Sequence, residues 1–270
     1  MSGIAVFGIT GRMGQTLVRA LREGGPAQPL RLVGAGASAH SARLGSDAAA
    51  EGTPTGVIVT ADLRAALRDA AVAVDFSLPQ CVFDHARACV EARVPLLIGT
   101  TGFDVAARAA LDAAAAVIPV LIAPNTSVGV NLMTRLVKLA ARALGPAYDV
   151  EISEAHHRAK RDAPSGTALA LGEVVAAERG TTLSQVAVFD RQGADGQRSV
   201  GDIGFSVLRA GDIVGEHTVT FAIAGERVEI THRATDRITF ARGALRAAEW
   251  LQRRPPGLYS MDDVLGLDQL

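Results

Sequence analysis

Between residues 151 and 167 the chain reads EISEAHHRAKRDAPSGT, a run dense in groups that move protons or hold an anion. His156 and His157 are adjacent, and Lys160 follows within one turn of chain. An imidazole titrates near neutrality, so a small environmental shift suits it to general acid–base work, and an ammonium adds a second donor. Pro164 and Ser165 signal a helix start, continued by the apolar run from Ala168 to Val175. A helix amino terminus beginning Ser165-Gly166-Thr167 offers backbone N–H groups and two hydroxyls, a setting suited to a carboxylate. Proton donors beside such a helix start predict a site that protonates an anionic substrate. A solvated basic loop before an ordinary capped helix is the plain alternative, and the coincidence of all these groups argues against it.

A second chemical stretch lies at the amino terminus. Ile4 to Phe7 is a short apolar strand running into Gly8-Ile9-Thr10-Gly11-Arg12-Met13-Gly14, and Gln15 to Leu21 continues as a helix with Leu17, Val18 and Leu21 on one face. Strand, glycine turn and helix are the context in which a dinucleotide fingerprint is credible: glycine permits close backbone approach and the helix start holds a pyrophosphate. The pattern is G-x-x-G-x-x-G, with Thr10 where a middle glycine is usual. An acidic residue that would bind the ribose hydroxyls of NAD is expected after the second strand, Leu30 to Ala35. The stretch there is Gly36-Ala37-Ser38-Ala39-His40-Ser41-Ala42-Arg43, with no carboxylate before Asp47. Ser38, His40 or Arg43 would then face a 2′-phosphate, which favours NADPH or dual use.

The elements that position these groups follow from periodicity. Val57–Thr60, Ala71–Ser77, Val94–Ile98 and Val117–Ile122 read as buried strands, separated by helices over Asp62–Ala70, Pro79–Glu91 and Asp104–Ala116. Their alternation predicts an α/β fold with a Rossmann-like, doubly wound parallel sheet. Gly24–Pro29 and Gln192–Asp202 read as loops. Val128 to Leu144 is a long helix stopped by Gly145-Pro146. Beyond it strands follow one another, over Tyr148–Glu154, Val186–Arg191, Ile203–Arg209, Glu216–Ile223 and Arg227–Arg233, which predicts a mixed or antiparallel sheet and a second, α+β domain. His217 and His232 fall in these strands and read as structural hydrogen-bonding residues. Phe240 to Arg253 is a final helix, with a tail from Pro255 onward.

Composition narrows the function classes. Hydrophobic residues make up 49% and charged residues 20%, a globular balance, and the net charge of −1 points to neither nucleic acid nor a membrane surface as partner. No apolar run reaches membrane-span length and no signal peptide precedes the first strand, so a cytoplasmic protein is expected. Cys81 and Cys89 lack metal-ligand spacing and read as packing residues, with no metal site expected.

The run Glu154-Ala155-His156-His157, Lys160 and Asp162 to Ala168 resembles the signature of the 4-hydroxy-tetrahydrodipicolinate reductase (dihydrodipicolinate reductase) family of the diaminopimelate route to lysine. Gly-Arg-Met-Gly at 11–14, Gly99-Thr100-Thr101-Gly102, and Ala123-Pro124-Asn125-Thr126-Ser127-Val128-Gly129 are similar to family segments too, as are 209–217 and 229–234. The resemblance implies reduction, with NADPH or NADH, of a six-membered cyclic imine bearing two carboxylates. By it, His156 is the proton donor and acceptor, Lys160 assists, and His157, Ser165, Gly166 and Thr167 hold a substrate carboxylate. It assigns the cofactor to Gly8, Ile9, Thr10, Gly11, Arg12, Met13, Gly14, Ser38, Gly99, Thr100, Thr101, Ala123, Pro124, Asn125 and Thr126, with the turn at 99–102 on the nicotinamide half. It further implies a homotetramer, a dinucleotide-binding domain over 1–127 plus 238–270, and a substrate and oligomerisation domain over 128–237. Leu78 stands where some family members carry an arginine, and the acid near Ser38 is missing. A rival aldehyde dehydrogenase needs a nucleophilic cysteine in a site-like setting, and a regulator that has lost its chemistry is expected to lose His156, His157 and Lys160 as well.

Overall fold

A computed structural model describes residues 1–24, 29–192 and 197–267. The expected loops at Gly24–Pro29 and Gln192–Asp202 therefore fall partly outside the described residues. The described residues divide into two compact units: Met1–Val128 with 238–267, and Gly129–Arg237.

The first unit is built on β1 (Ser2–Phe7), β2 (Leu30–Gly36), β3 (Val59–Thr60), β4 (Val72–Asp75), β5 (Leu96–Ile98), β6 (Pro119–Ile122) and β12 (Gly257–Tyr259). They form one parallel sheet in the order β12-β6-β5-β4-β1-β2-β3. Strands buried on both faces need unbroken apolar runs, because successive side chains point to opposite sides. Ile4 and Val6 enter one core with α1 (Arg12–Glu23) and α8 (Ile238–Leu251); Ala5 and Phe7 enter the other with α3 (Val82–Ala92) and α4 (Val105–Ala115). A short α2 (Leu63–Leu67), capped by Asp62, joins that second layer. The expected Rossmann-like, doubly wound architecture is what the chain adopts.

One expectation is corrected. The segment after Pro255 is not a tail: β12 pairs in parallel with β6, and α9 (Met261–Leu265) buries Met261 and Val264 behind a Ser260–Asp263 capping box. A three-residue strand has too few positions to show a period, and its partner lies far away in sequence.

In the second unit, β7 (Asp149–His156), β8 (Ala187–Val188), β9 (Ile203–Arg209), β10 (Gly215–Ile223) and β11 (Glu226–Ala234) form a mixed sheet in the order β11-β10-β7-β9-β8. β10 runs antiparallel to β7 and β11, while β9 runs parallel to β7 and β8. Two helices, α5 (Val128–Leu144) and α6 (Gly166–Glu178), close one face of the sheet over Val150, Ile152, Ile203, Val219 and Phe221. A one-turn helix, α7 (Leu183–Val186), precedes β8. The opposite face carries small and polar residues, among them Ser153, Ser206, Thr218 and Thr231, and is exposed at Ser153, Ser206 and Thr231.

Candidate active site

The proton-handling group grows out of the pleat of β7. Val150, Ile152, Glu154 and His156 all point inward, so the face that begins as core ends as a polar pair. Strand register supplies the neighbours: His217 on β10 lies opposite Glu154, and Arg209 on β9 opposite His156. His156 Nδ1 is 2.6 Å from Glu154 Oε2, which fixes that nitrogen as the donor and leaves Nε2 for chemistry. Arg209 grips the same carboxylate with two guanidinium nitrogens, at 2.7 and 2.8 Å, in the fork geometry that makes such pairs strong. The Ser165 backbone N–H donates to Glu154 Oε1 at 3.0 Å. The start of α6 is thereby tied to the imidazole through one buried carboxylate.

Electrostatics follow from this packing. Burial works to raise the Glu154 carboxyl, but hydrogen bonds from Arg209, His156 and the Ser165 N–H outweigh it and hold it below its usual value. Burial pushes the His156 imidazole down; Glu154 pulls it back up, while Lys160 and Arg209 push it down again. His217, more deeply buried and with His156 beside it, is pushed down to about 4.

The sequence-assigned substrate residues separate by what they already touch. Ser165 caps α6 by accepting from the Ala168 N–H, and its hydroxyl is 2.9 Å from His217 Nε2. With its N–H on Glu154 as well, Ser165 ties the helix start to both Glu154 and His217. Gly166 is exposed, with nothing within 4 Å of where a Cβ would be, and Thr167 is half-buried beside it. His157 is half-buried at the end of β7, and the Lys160 N–H returns to its carbonyl. The Lys160 ammonium reaches Asp162 at 2.8 Å, which holds the Asp162 carboxyl below its usual value.

Glu154, Arg209, His217 and Gly215 were given no chemical role by the sequence. Glu154 shares the inward period of Val150 and Ile152, a signal that was present; Arg209 needs the β7–β9 register to be seen. A Cβ at Gly215 would sit 3.1 Å from His156 Nε2, so glycine keeps that edge of the ring clear. The structural role expected of His217 is met at Nε2 by Ser165, while Nδ1 of His217, like Nδ1 of His232, is buried without a hydrogen-bond partner among the described residues.

The first unit's candidate residues lie at the carboxyl ends of its strands, where parallel sheets bind ligands. Gly8 has φ +74°, and a Cβ there would stand 2.4 Å from the Phe76 carbonyl oxygen; one at Gly14 would meet Ile9 O at 2.4 Å. Gly11 caps α1 without any side-chain acceptor, leaving the helix start to an outside anion, with Arg12 exposed beside it. This is a cradle that a nucleotide pyrophosphate fits. Met13 and Thr10 are half-buried, and Ile9 lies in the core, so only its backbone is open to a ligand.

Ser38 is exposed, its hydroxyl accepting from the His40 N–H. Arg43 turns inward to the Asp47 and Ala49 carbonyls, and Asp47 accepts N–H groups from Ala49, Thr55 and Gly56, which lower it to about 2. Neither side chain is thus placed to read the ribose. Pro124 is exposed and Asn125 half-buried, its Oδ1 accepting from the Ser127 N–H; Ala123 and Thr126 are buried, with the Thr126 hydroxyl on the Phe240 carbonyl. Gly99 packs under the Phe76 ring, Thr101 is exposed, and Thr100 is buried with its hydroxyl on Asp75.

The cysteines offer no nucleophile: burial pushes both thiols up, with Asp75 adding to it. Among the described residues no His, Cys, Asp and Glu group could hold a metal ion, and no helix is long and apolar enough to cross a membrane.

A glycine cradle on a doubly wound sheet, with an imidazole–carboxylate pair in a separate α+β unit, defines a two-domain, nicotinamide-dependent oxidoreductase. Residues 2–126 match the family described as dihydrodipicolinate reductase, N-terminus, and residues 129–265 the corresponding C-terminus. The chain belongs to the dihydrodipicolinate reductase family. It is 52% identical over 266 residues to 4-hydroxy-tetrahydrodipicolinate reductase of Thiobacillus denitrificans, covering 98% of each chain. It is 51% identical over 270 residues to that of Anaeromyxobacter dehalogenans, covering 99% of this chain and 98% of the relative. Among solved structures it superposes on dipicolinate-bound dihydrodipicolinate reductase from Paenisporosarcina sp. TG-14 with a TM-score of 0.75 and 25% identity, over 96% of this chain and 97% of that one.

Proposed function

We propose that this protein reduces 4-hydroxy-tetrahydrodipicolinate, a six-membered cyclic imine dicarboxylate, to tetrahydrodipicolinate with NADPH or NADH, in lysine and diaminopimelate biosynthesis. The observation that carries the reading is the buried Glu154–His156 pair joined through Ser165 to the start of α6, in a chain of this family. A bound reduced nicotinamide supplies hydride to ring C4 once the 4-hydroxyl has left as water. The protein's own work is protonation and anion binding. His156, with Nδ1 held by Glu154, delivers a proton from Nε2 to C3 of the resulting enamine, and Lys160 is the second donor. A dianionic substrate beside the imidazole favours its protonated form, against the downward push of burial. Ser165, Gly166 and Thr167, with His157, hold a carboxylate at the helix start. Gly8 to Gly14, Ser38, Gly99 to Thr101 and Ala123 to Thr126 hold the cofactor. Without a carboxylate on the turn after β2, nothing there repels a 2′-phosphate, which favours NADPH or dual use.

The same reading includes a cytoplasmic homotetramer without nucleic-acid or membrane partners. The exposed face of the second sheet supports assembly, because Ser153, Ser206 and the exposed Leu208 on it admit a partner surface. Light scattering on the purified protein tests it, and a monomeric mass would count against it.

The function itself is tested by mixing purified protein with freshly prepared 4-hydroxy-tetrahydrodipicolinate and following oxidation of NADPH and NADH in parallel. Rapid oxidation of at least one is expected. No oxidation of either, by folded protein that binds nucleotide, overturns the proposal.

A further inference from the structure

Asp75 ends β4 with its side chain fully buried, an expensive place for a carboxyl group unless its oxygens are all engaged. They are. Oδ1 accepts from the Ser77 N–H at 2.7 Å and from the Thr100 hydroxyl at 3.1 Å, and Oδ2 is 2.7 Å from His85 Nδ1. His85 reaches it from α3, stacked on Phe7 with ring centroids 4.4 Å apart. The Gly99 N–H donates to the Asp75 carbonyl at 2.9 Å. The next residue, Phe76, closes on both cofactor turns: its carbonyl lies against Gly8 and its ring against Gly99, each too near for any Cβ. Replacing Asp75 by an apolar residue would strand the Ser77 N–H, the Thr100 hydroxyl and His85 Nδ1, so the carboxylate and its donors stand together. A satisfied polar cluster at the carboxyl edge of a parallel sheet specifies one arrangement of the turns beside it.

We propose that Asp75, held by His85, is a positioning residue that sets the Gly99–Thr100 turn, and through it the nicotinamide half of the bound cofactor. The Thr100 hydroxyl is turned inward to Asp75, so this turn meets the cofactor through its backbone, whose course Asp75 dictates. The proposal rests on the reading that places residues 99–102 at the nicotinamide.

Calorimetric titration separates the two ideas, using NADPH and 2′-phospho-ADP-ribose, which lacks the nicotinamide. Wild-type protein is expected to bind NADPH more tightly. His85→Phe keeps the ring stack on Phe7 and removes the nitrogen; Thr100→Val keeps the shape and removes the hydroxyl. Each is expected to weaken NADPH about tenfold, the scale of a lost buried hydrogen bond to a charged group, while 2′-phospho-ADP-ribose stays within about twofold. Thermal melts establish that each variant is folded, and Thr100→Val decides the matter if His85→Phe is not. Equal weakening of both ligands, or of neither, overturns the positioning role and leaves the turn's assignment intact. A wild type that binds both ligands equally overturns that assignment, and the positioning role with it.

Discussion

His156 is 8% exposed, yet in the proposed reading it is the group that gives up a proton. Burial alone would leave it neutral and poorly oriented; Glu154 answers both problems, by fixing the tautomer and by favouring the charged form. His156→Ala is expected to lower kcat by roughly 10²- to 10⁴-fold with a smaller change in KM, the usual size for a lost general acid, and steady-state kinetics decides it. An unchanged kcat removes His156 from the mechanism. Glu154→Gln keeps the shape and withdraws the charge. The imidazole then sits lower still, under burial and the facing Lys160 and Arg209. A proton donor is active below its pKa, so the alkaline limb of the kcat profile is expected to move to lower pH. A profile superposable on wild type would mean that Glu154 does not tune the acid.

At the scale of elements, the start of α6 does two jobs with its cap and first two residues. Ser165 turns inward to close the helix end and hold His217, while Gly166 and Thr167 face the substrate side in the proposed reading. Ser165→Ala removes a cap and a buried hydrogen-bond partner together, so it is expected to cost about 1–3 kcal/mol of unfolding free energy, read from urea titrations. Thr167→Ala is expected mainly to raise KM for the dicarboxylate. An untouched KM would mean that this helix start is not where the anion binds.

For the molecule as a whole, acid stability follows from which groups are buried without charge. His217 titrates at about 4 when folded against an ordinary 6.5, so between those values the unfolded chain takes up a proton that the native chain refuses. Stability is therefore expected to fall as pH drops from 6.5 to 4, by on the order of 3 kcal/mol from this group at 1.36 kcal/mol per pH unit. His156 and His232, also pushed down by burial, act in the same direction. Glu154, Asp162 and Asp47, held low by their hydrogen bonds, contribute stability that is lost only at more acid pH. Urea unfolding across this range should show a shallower slope between 6.5 and 4 for His217→Gln, which can still bond Ser165. An identical slope would show that His217 is not the group responsible.

What the sequence determined by itself is local in origin. Alternating apolar runs and glycine turns sufficed for the doubly wound sheet, the long helix α5 and the start of α6, because period and capping act over a few residues; α1 begins at Arg12, three residues before the expected Gln15. The site motifs at 8–14 and 154–167 were legible for the same reason: each is one contiguous strand, turn and helix start. Only the tertiary structure decided that Arg209 and His217, more than fifty residues beyond Glu154, complete its carboxylate cluster. It alone turned Ser165 inward, engaged Arg43 and Asp47 within their own loop, and brought the chain after Pro255 back as a strand beside β6. Those outcomes depend on strand register and on hydrogen bonds between distant segments, and register between strands leaves no mark on the order of residues within either one.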